Sequence, residues 1–220
     1  HTVRRVAKNT LIPMGMSLLN KGVDFVFAML RLRVLSPGGE GSYTFAIAFY
    51  TLFEILVRFG LGTLLTREVA KDRQGASRFF SNVVALRLKL WLASLPVMLL
   101  LVLGYYRWGG LTGEEGAAIA IFSAALLFVS FADAVSATFN AYEKMEFPAG
   151  LASAIALGKV ALGALVLLPP LEWGFVGLAG VALLMNGVQA VWLYILLRQK
   201  LFTPRLEVDG RLQREMLRLS

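Results

Sequence analysis

The run NVVALRLKLWLASLPVMLLLVLGY at residues 82–105 decides the fold class. From Leu90 to Tyr105 it carries no charge, and Leu and Val fill most positions. Coiled as a helix at about 1.5 Å per residue, it covers the roughly 30 Å hydrocarbon core of a bilayer. Pro96 lies inside it and marks a candidate kink.

Five more runs of this kind flank it, at about 10–35, 44–65, 116–141, 149–168 and 173–197. Short breaks separate them: Ser36-Pro37-Gly38-Gly39, a basic stretch from Thr66 to Arg73, a Gly-rich stretch from Arg107 to Glu115, Glu143 to Pro148, and Pro169-Pro170. The chain is 57% hydrophobic and 16% charged, against about 45–50% and about 25% in an ordinary soluble domain. The expectation is an all-α polytopic transmembrane helix bundle of about six spans, embedded in a lipid bilayer. Residues 198–220 read instead as a basic amphipathic linker. Leu212, Met216 and Leu219 repeat at i, i+4, i+7, with Arg211, Arg214 and Arg218 elsewhere on the helix.

Charge sets the expected topology. Fourteen Lys and Arg fall on one side, among them Arg4, Arg5, Lys8, Arg67, Lys71, Arg73, Arg78 and Lys144. The opposite connectors hold only Arg107. This bias places both termini on the cytoplasmic side. It also accounts for the net charge of +8 without a nucleic-acid partner.

Several function classes drop out. The chain has no cysteine and its one histidine is His1, so thiol chemistry, a metal site and a cofactor are not expected. No phosphate-binding Gly-rich loop and no Gly-x-Ser-x-Gly occurs. The connectors leave no room for a soluble catalytic domain, and the chain is read as a non-enzyme.

What remains is charge inside the spans, which is costly against lipid and so faces protein or water. In the first span Ser17, Lys21, Asp24, Ala28 and Arg31 share one face, and Lys21 and Asp24 are spaced to pair. In the second, Thr51, Glu54, Arg58 and Gly62 form a stripe, with Glu54 and Arg58 at i, i+4. Ser130, Asp133 and Asn140 line up in the fourth, and Asn186 and Gln189 share a face in the sixth. Lys159 stands alone in the fifth. Two readings stay open: a shared aqueous cavity, net cationic and suited to an anionic head group, or interhelical pairs that fix packing. Arg31 and Arg33 sit near the outer end of their span, where snorkelling competes with a cavity role. Arg87 and Lys89 project differently near the inner end of theirs, and at least one is expected to snorkel.

Three segments carry a resemblance. Arg5–Asn9, the charged first span and Leu35-Ser36-Pro37-Gly38-Gly39-Glu40-Gly41-Ser42-Tyr43 resemble the start of polysaccharide-type flippases, with Ser36 where those proteins have a Gly and a different order near Gly41–Tyr43. Phe59-Gly60-Leu61-Gly62 through Arg67-Glu68-Val69-Ala70-Lys71 is similar to their second-span exit, and Phe139-Asn140-Ala141-Tyr142-Glu143-Lys144 to their fourth-span exit. The chain thus resembles the multidrug/oligosaccharidyl-lipid/polysaccharide (MOP) exporter superfamily over essentially its whole length. The resemblance implies the N-terminal lobe of a two-lobe transporter in a bacterial or archaeal cytoplasmic membrane. Such a transporter moves polyprenyl-pyrophosphate-linked oligosaccharide by alternating access, using an ion gradient of H⁺ or Na⁺. Its partners would be the C-terminal lobe of the same transporter and an anionic lipid-linked glycan. By position the resemblance points to Arg31 and Arg58, then Lys21, as cavity cations; Asp24, Asp133 and Lys159 complete the candidate substrate-binding set. Asp24 or Glu54 would carry a coupling ion, Glu54 more simply as an ion-pair partner. A drug exporter of the same superfamily, a glycolipid-synthesis enzyme and a non-transporting scaffold remain alternatives.

Overall fold

The computed structural model describes residues 2–169, 171–205 and 207–219, with side chains from 14 to 218. The side chains of Arg4, Arg5, Lys8 and Leu219, and all of His1, Pro170, Leu206 and Ser220, lie outside the described residues. The described elements are all helical: α1 (Thr2–Val34), α2 (Pro37–Arg58), α3 (Leu61–Lys71), α4 (Ala76–Trp108), α5 (Gly113–Ala141), α6 (Glu146–Leu167), α7 (Gly174–Lys200) and α8 (Gly210–Leu219).

Five segments are long and apolar enough to cross a membrane: α2 with α3, α4, α5, α6 and α7. α1 has the length, but Asn20, Lys21, Asp24, Arg31 and Arg33 make it more polar than these five. The outer surface is apolar where a soluble protein would be polar. Leu100 is 70% exposed and Val26 66%, alongside many other exposed leucines and valines. Apolar surface on this scale needs a nonpolar solvent. The protein is a multi-pass membrane protein.

Helix boundaries depart from the hydrophobic runs for identifiable reasons. Ser36-Pro37, read from sequence as a break, starts a helix: the Ser36 hydroxyl accepts from the Gly39 N–H at 3.2 Å and Pro37 occupies the first turn. α2 therefore begins at 37, not 44. The second run is not one helix. Phe59 (φ 30°) and Gly60 (φ 66°) both adopt the left-handed conformation, ending α2 and starting α3. α3 then carries helix through most of the basic stretch expected to be a connector. A capping box of Thr112 and Glu115 starts α5 at Gly113 rather than 116. Pro96 sits within α4 without ending it. α4 has 33 residues, about 50 Å of helix, so it outruns the bilayer core.

α5 is the central helix. It packs on α7, α2, α3 and α4, whereas α1 leans on α6 and α6 on α7. Two hydrophobic clusters stack along it. One, toward the end that bears Arg67, Lys71 and Arg73 (here the basic end), joins Leu61, Leu65, Val83, Phe139 and Leu193. The other, toward the far end, joins Phe53, Ile119, Phe122 and Phe175. α8 is docked rather than free: it lies against α3 and α4, with Met216 buried and Leu212 packed on the basic-end cluster.

Candidate functional site

The α2–α3 break positions the main polar site. Arg58, last residue of α2, is half exposed and makes two ion pairs, with Glu54 one turn back at 3.1 Å and with Asp133 of α5 at 2.7 Å. Asp133 turns its other oxygen to Arg87 of α4 at 2.6 Å. One carboxylate thus bridges two guanidiniums from different helices. Arg87 is only 1% exposed and donates a second hydrogen bond to the Ser130 carbonyl. The break makes room for this cluster. Gly62 passes so close that a Cβ there would stand 3.1 Å from Asp133 Oδ2 and 3.3 Å from an Arg87 nitrogen. Thr66 fixes α3 to α5 by donating to the Ala137 carbonyl at 3.0 Å.

Beside the cluster opens a cavity of ≈ 650 Å³. Arg58, Arg67 and Arg87 line it against the single carboxylate of Asp133, with Thr66, Ser136 and Asn140 as neutral polar walls. Glu54 and Glu68 pair with Arg58 and Arg67 but do not line the cavity. Its wall is cationic although the cluster as a whole is balanced. Asp133 lies roughly 30 Å along α5 from the Thr112 cap, which puts the cavity toward the basic end of the bundle rather than at its middle.

A second polar site lies nearer mid-depth, between α1, α6 and α7. Lys159 was expected to stand alone; it donates to Asn186 Oδ1 at 2.7 Å. Asn20, Asp24, Lys159 and Gln189 line a cavity of ≈ 360 Å³ there, and the Asn20 side-chain oxygen is buried without a partner. Asp24 faces this space, and among the described residues it forms no ion pair with Lys21, which is exposed. The i, i+3 spacing of those two therefore does not become an ion pair among the described residues.

Arg31 goes elsewhere. It pairs with Glu40 at 3.2 Å and stacks over Tyr43 at 4.3 Å, tying α1 to the start of α2 at the far end. The Ser42 hydroxyl donates to Glu115 at 2.7 Å nearby, tying α2 to the cap of α5. The candidate residues thus fall at three levels: Glu54, Arg58 and Asp133 together at the basic edge, Asp24 and Lys159 together at mid-depth, and Arg31 apart from both.

Arg87, which the sequence left open between an inward and a snorkelling position, joins the site. It does not snorkel. Ala76, Phe80, Val83, Arg87 and Ser94 recur at helical spacing and are all buried, so Arg87 lies on the inward stripe of α4. That stripe was visible in the sequence. Lys89, on another face, is exposed and reaches Gln213 of α8 at 2.6 Å.

No curated protein and no solved structure matches the chain. A family model does, over residues 6–220, and its description is "Polysaccharide biosynthesis protein". A match across nearly the whole chain, on a bundle of long apolar helices, shows the membership: the chain belongs to the polysaccharide biosynthesis protein family of MOP-type exporters.

Proposed function

We propose that this protein is a lobe of a flippase that moves a polyprenyl-pyrophosphate-linked oligosaccharide across the cytoplasmic membrane of a bacterium or archaeon, with α1 as a sixth span and both termini in the cytoplasm. The observation that carries the reading is the cavity at the α2–α3 break, where Arg58, Arg67 and Arg87 face one carboxylate. Guanidiniums suit pyrophosphate because they are permanently charged and fork-shaped. Broken helices around a polar cavity are a recurring feature of transporters built from two repeats. A second lobe would supply the opposite wall. The head group would enter at the basic edge, where half-exposed Arg58 exchanges Asp133 for phosphate oxygens, while the polyprenyl tail stays in lipid. The Asp24–Lys159 site at mid-depth is the place for a coupling H⁺ or Na⁺, and Glu54 serves as the ion-pair partner of Arg58. Energy then comes from an ion gradient, and no covalent step is needed.

The test is translocation of a polyprenyl-pyrophosphate oligosaccharide probe in sealed vesicles. Arg58→Gln should abolish most of it, and permeabilised vesicles should show no activity. Wild-type rates in both Arg58→Gln and Arg67→Gln would overturn recognition by these cations. Product formation in detergent, without a sealed membrane, would point to an enzyme instead.

A further inference from the structure

We propose that α8 is an anionic-lipid contact: Arg211, Arg214 and Arg218 hold phosphate-bearing headgroups of the leaflet at the basic end. The site is separate from the transport cavity and does not depend on the flippase reading.

The strap before α8 is fastened along α4. Ser77 Oγ accepts from the Arg205 N–H at 2.8 Å, and the Ser81 hydroxyl donates to the Arg205 carbonyl. Asn82 donates to the Glu207 carbonyl at 2.8 Å and accepts from the Asp209 N–H at 2.7 Å. Arg78 pairs with Asp209 at 2.8 Å. One helical turn into α8, Gln213 accepts from Lys89. These contacts fix both the depth and the rotation of α8.

The depth is that of the headgroups. Lys89 is the last charge on α4 before the uncharged run from Leu90 to Tyr105, and its apolar neighbours Leu88 and Leu92 are exposed. Gln213 touches Lys89, so α8 lies where the hydrocarbon gives way to phosphate. The rotation turns the apolar residues Leu212 and Met216 into the bundle. Arg211, Arg214 and Arg218 fall within about 60° of one another on the opposite face. All three are exposed, and among the described residues none forms an ion pair. Among the described residues, the one side-chain hydrogen bond of the three is Arg214 Nε donating to the Gly210 carbonyl at 3.2 Å. With Glu215 as the single acid they bound a concave surface of ≈ 510 Å³. A basic face without protein partners, held at phosphate depth on a helix whose apolar face is already satisfied, fits anionic lipid.

The chain has no cysteine, so L217C gives a unique label beside this face. The full chain, labelled there with bimane, is placed in nanodiscs of phosphatidylcholine with phosphatidylglycerol, one or the other lipid brominated. Brominated phosphatidylglycerol should quench more strongly than brominated phosphatidylcholine at equal content. The preference should be lost in R211Q/R214Q/R218Q and retained in R211K/R214K/R218K, which keeps the charge and controls for folding. Equal quenching by both lipids, a preference that survives the triple Gln variant, or no quenching by either lipid because protein covers the face, would each overturn the proposal.

Discussion

Arg87 and Asp133 form an ion pair at 2.6 Å in which the arginine is almost wholly buried behind the cavity wall that both residues help to form, and the aspartate is the more accessible of the two. The pair joins α4 to α5 and gives Asp133 a fixed position from which its other oxygen meets Arg58. Two arginines on one carboxylate thus do different work: Arg87 is structural scaffolding for the site, and Arg58 is its exposed, exchangeable cation.

That division predicts unequal costs. Asp133→Ala strands Arg87 as an unpaired buried charge and should cost about 3–5 kcal/mol. Arg58→Gln removes a half-exposed partner and should cost about 1 kcal/mol or less while still eliminating transport. The double change Arg87→Met with Asp133→Leu should regain most of the stability lost in Asp133→Ala, without regaining activity. Thermal unfolding of the purified protein, set against vesicle transport of the same variants, separates the two effects.

Gly62 is predicted to be intolerant for a reason specific to this pair. A Cβ would press on both Asp133 and Arg87 at 3.1 and 3.3 Å. Gly62→Val therefore drives α3 away from α5 or breaks the bridge, and overpacking of this kind costs about 1–3 kcal/mol. Transport should fall at least as far as in Arg58→Gln, whereas valine at the unobstructed Gly41 should change transport little.

At mid-depth, Asn186→Leu removes the acceptor of Lys159 and leaves a partly buried ammonium without it, a penalty of about 1–3 kcal/mol. Adding Lys159→Met to it should recover stability, since both polar partners are then gone. If Lys159 and Asp24 serve coupling, the stable double variant still shows no dependence of transport on the ion gradient. Recovery of gradient-driven transport would assign the pair to packing alone.

Much of the site was legible in the sequence. Glu54 and Arg58 at i, i+4 could be read as a pair, because local helical geometry alone brings them together. The placement of Asp133 on an inward stripe of α5 could be read the same way. Lys159 looked solitary because Asn186 lies on another helix, and only tertiary packing joins them. Ser36-Pro37 misled because the same residues that end one helix can cap the next. The break at Phe59–Gly60 was hidden since nothing in a Phe-Gly step demands a left-handed phenylalanine. Arg87 was on a readable stripe, yet its closeness to Lys89 and to the end of the span left open which of the two faces inward.

Orientation is testable because the chain has no native cysteine. Q74C lies between α3 and α4 at the basic end, and L171C between α6 and α7 at the far end. In intact cells an impermeant maleimide should label L171C and spare Q74C; in inverted vesicles the pattern should reverse. The opposite pattern would invert the charge-based topology and move the arginine cavity to the outer face.

The strap should respond to acid with a definite sign. The Arg211 N–H, followed by the Arg78 guanidinium, holds the Asp209 carboxyl below its ordinary value. A depressed folded value means the contribution is fully present above the unfolded pKa of about 4 and is lost as pH falls through the lower, folded one. Docking of α8, followed by the fluorescence of bimane at L217C, should therefore be level from neutral pH down to about 4 and weaken only below it. Asp209→Asn should dock more weakly than the wild type at neutral pH, with the difference closing in acid. A wild-type transition near pH 6 would mean that some group other than Asp209 controls the strap.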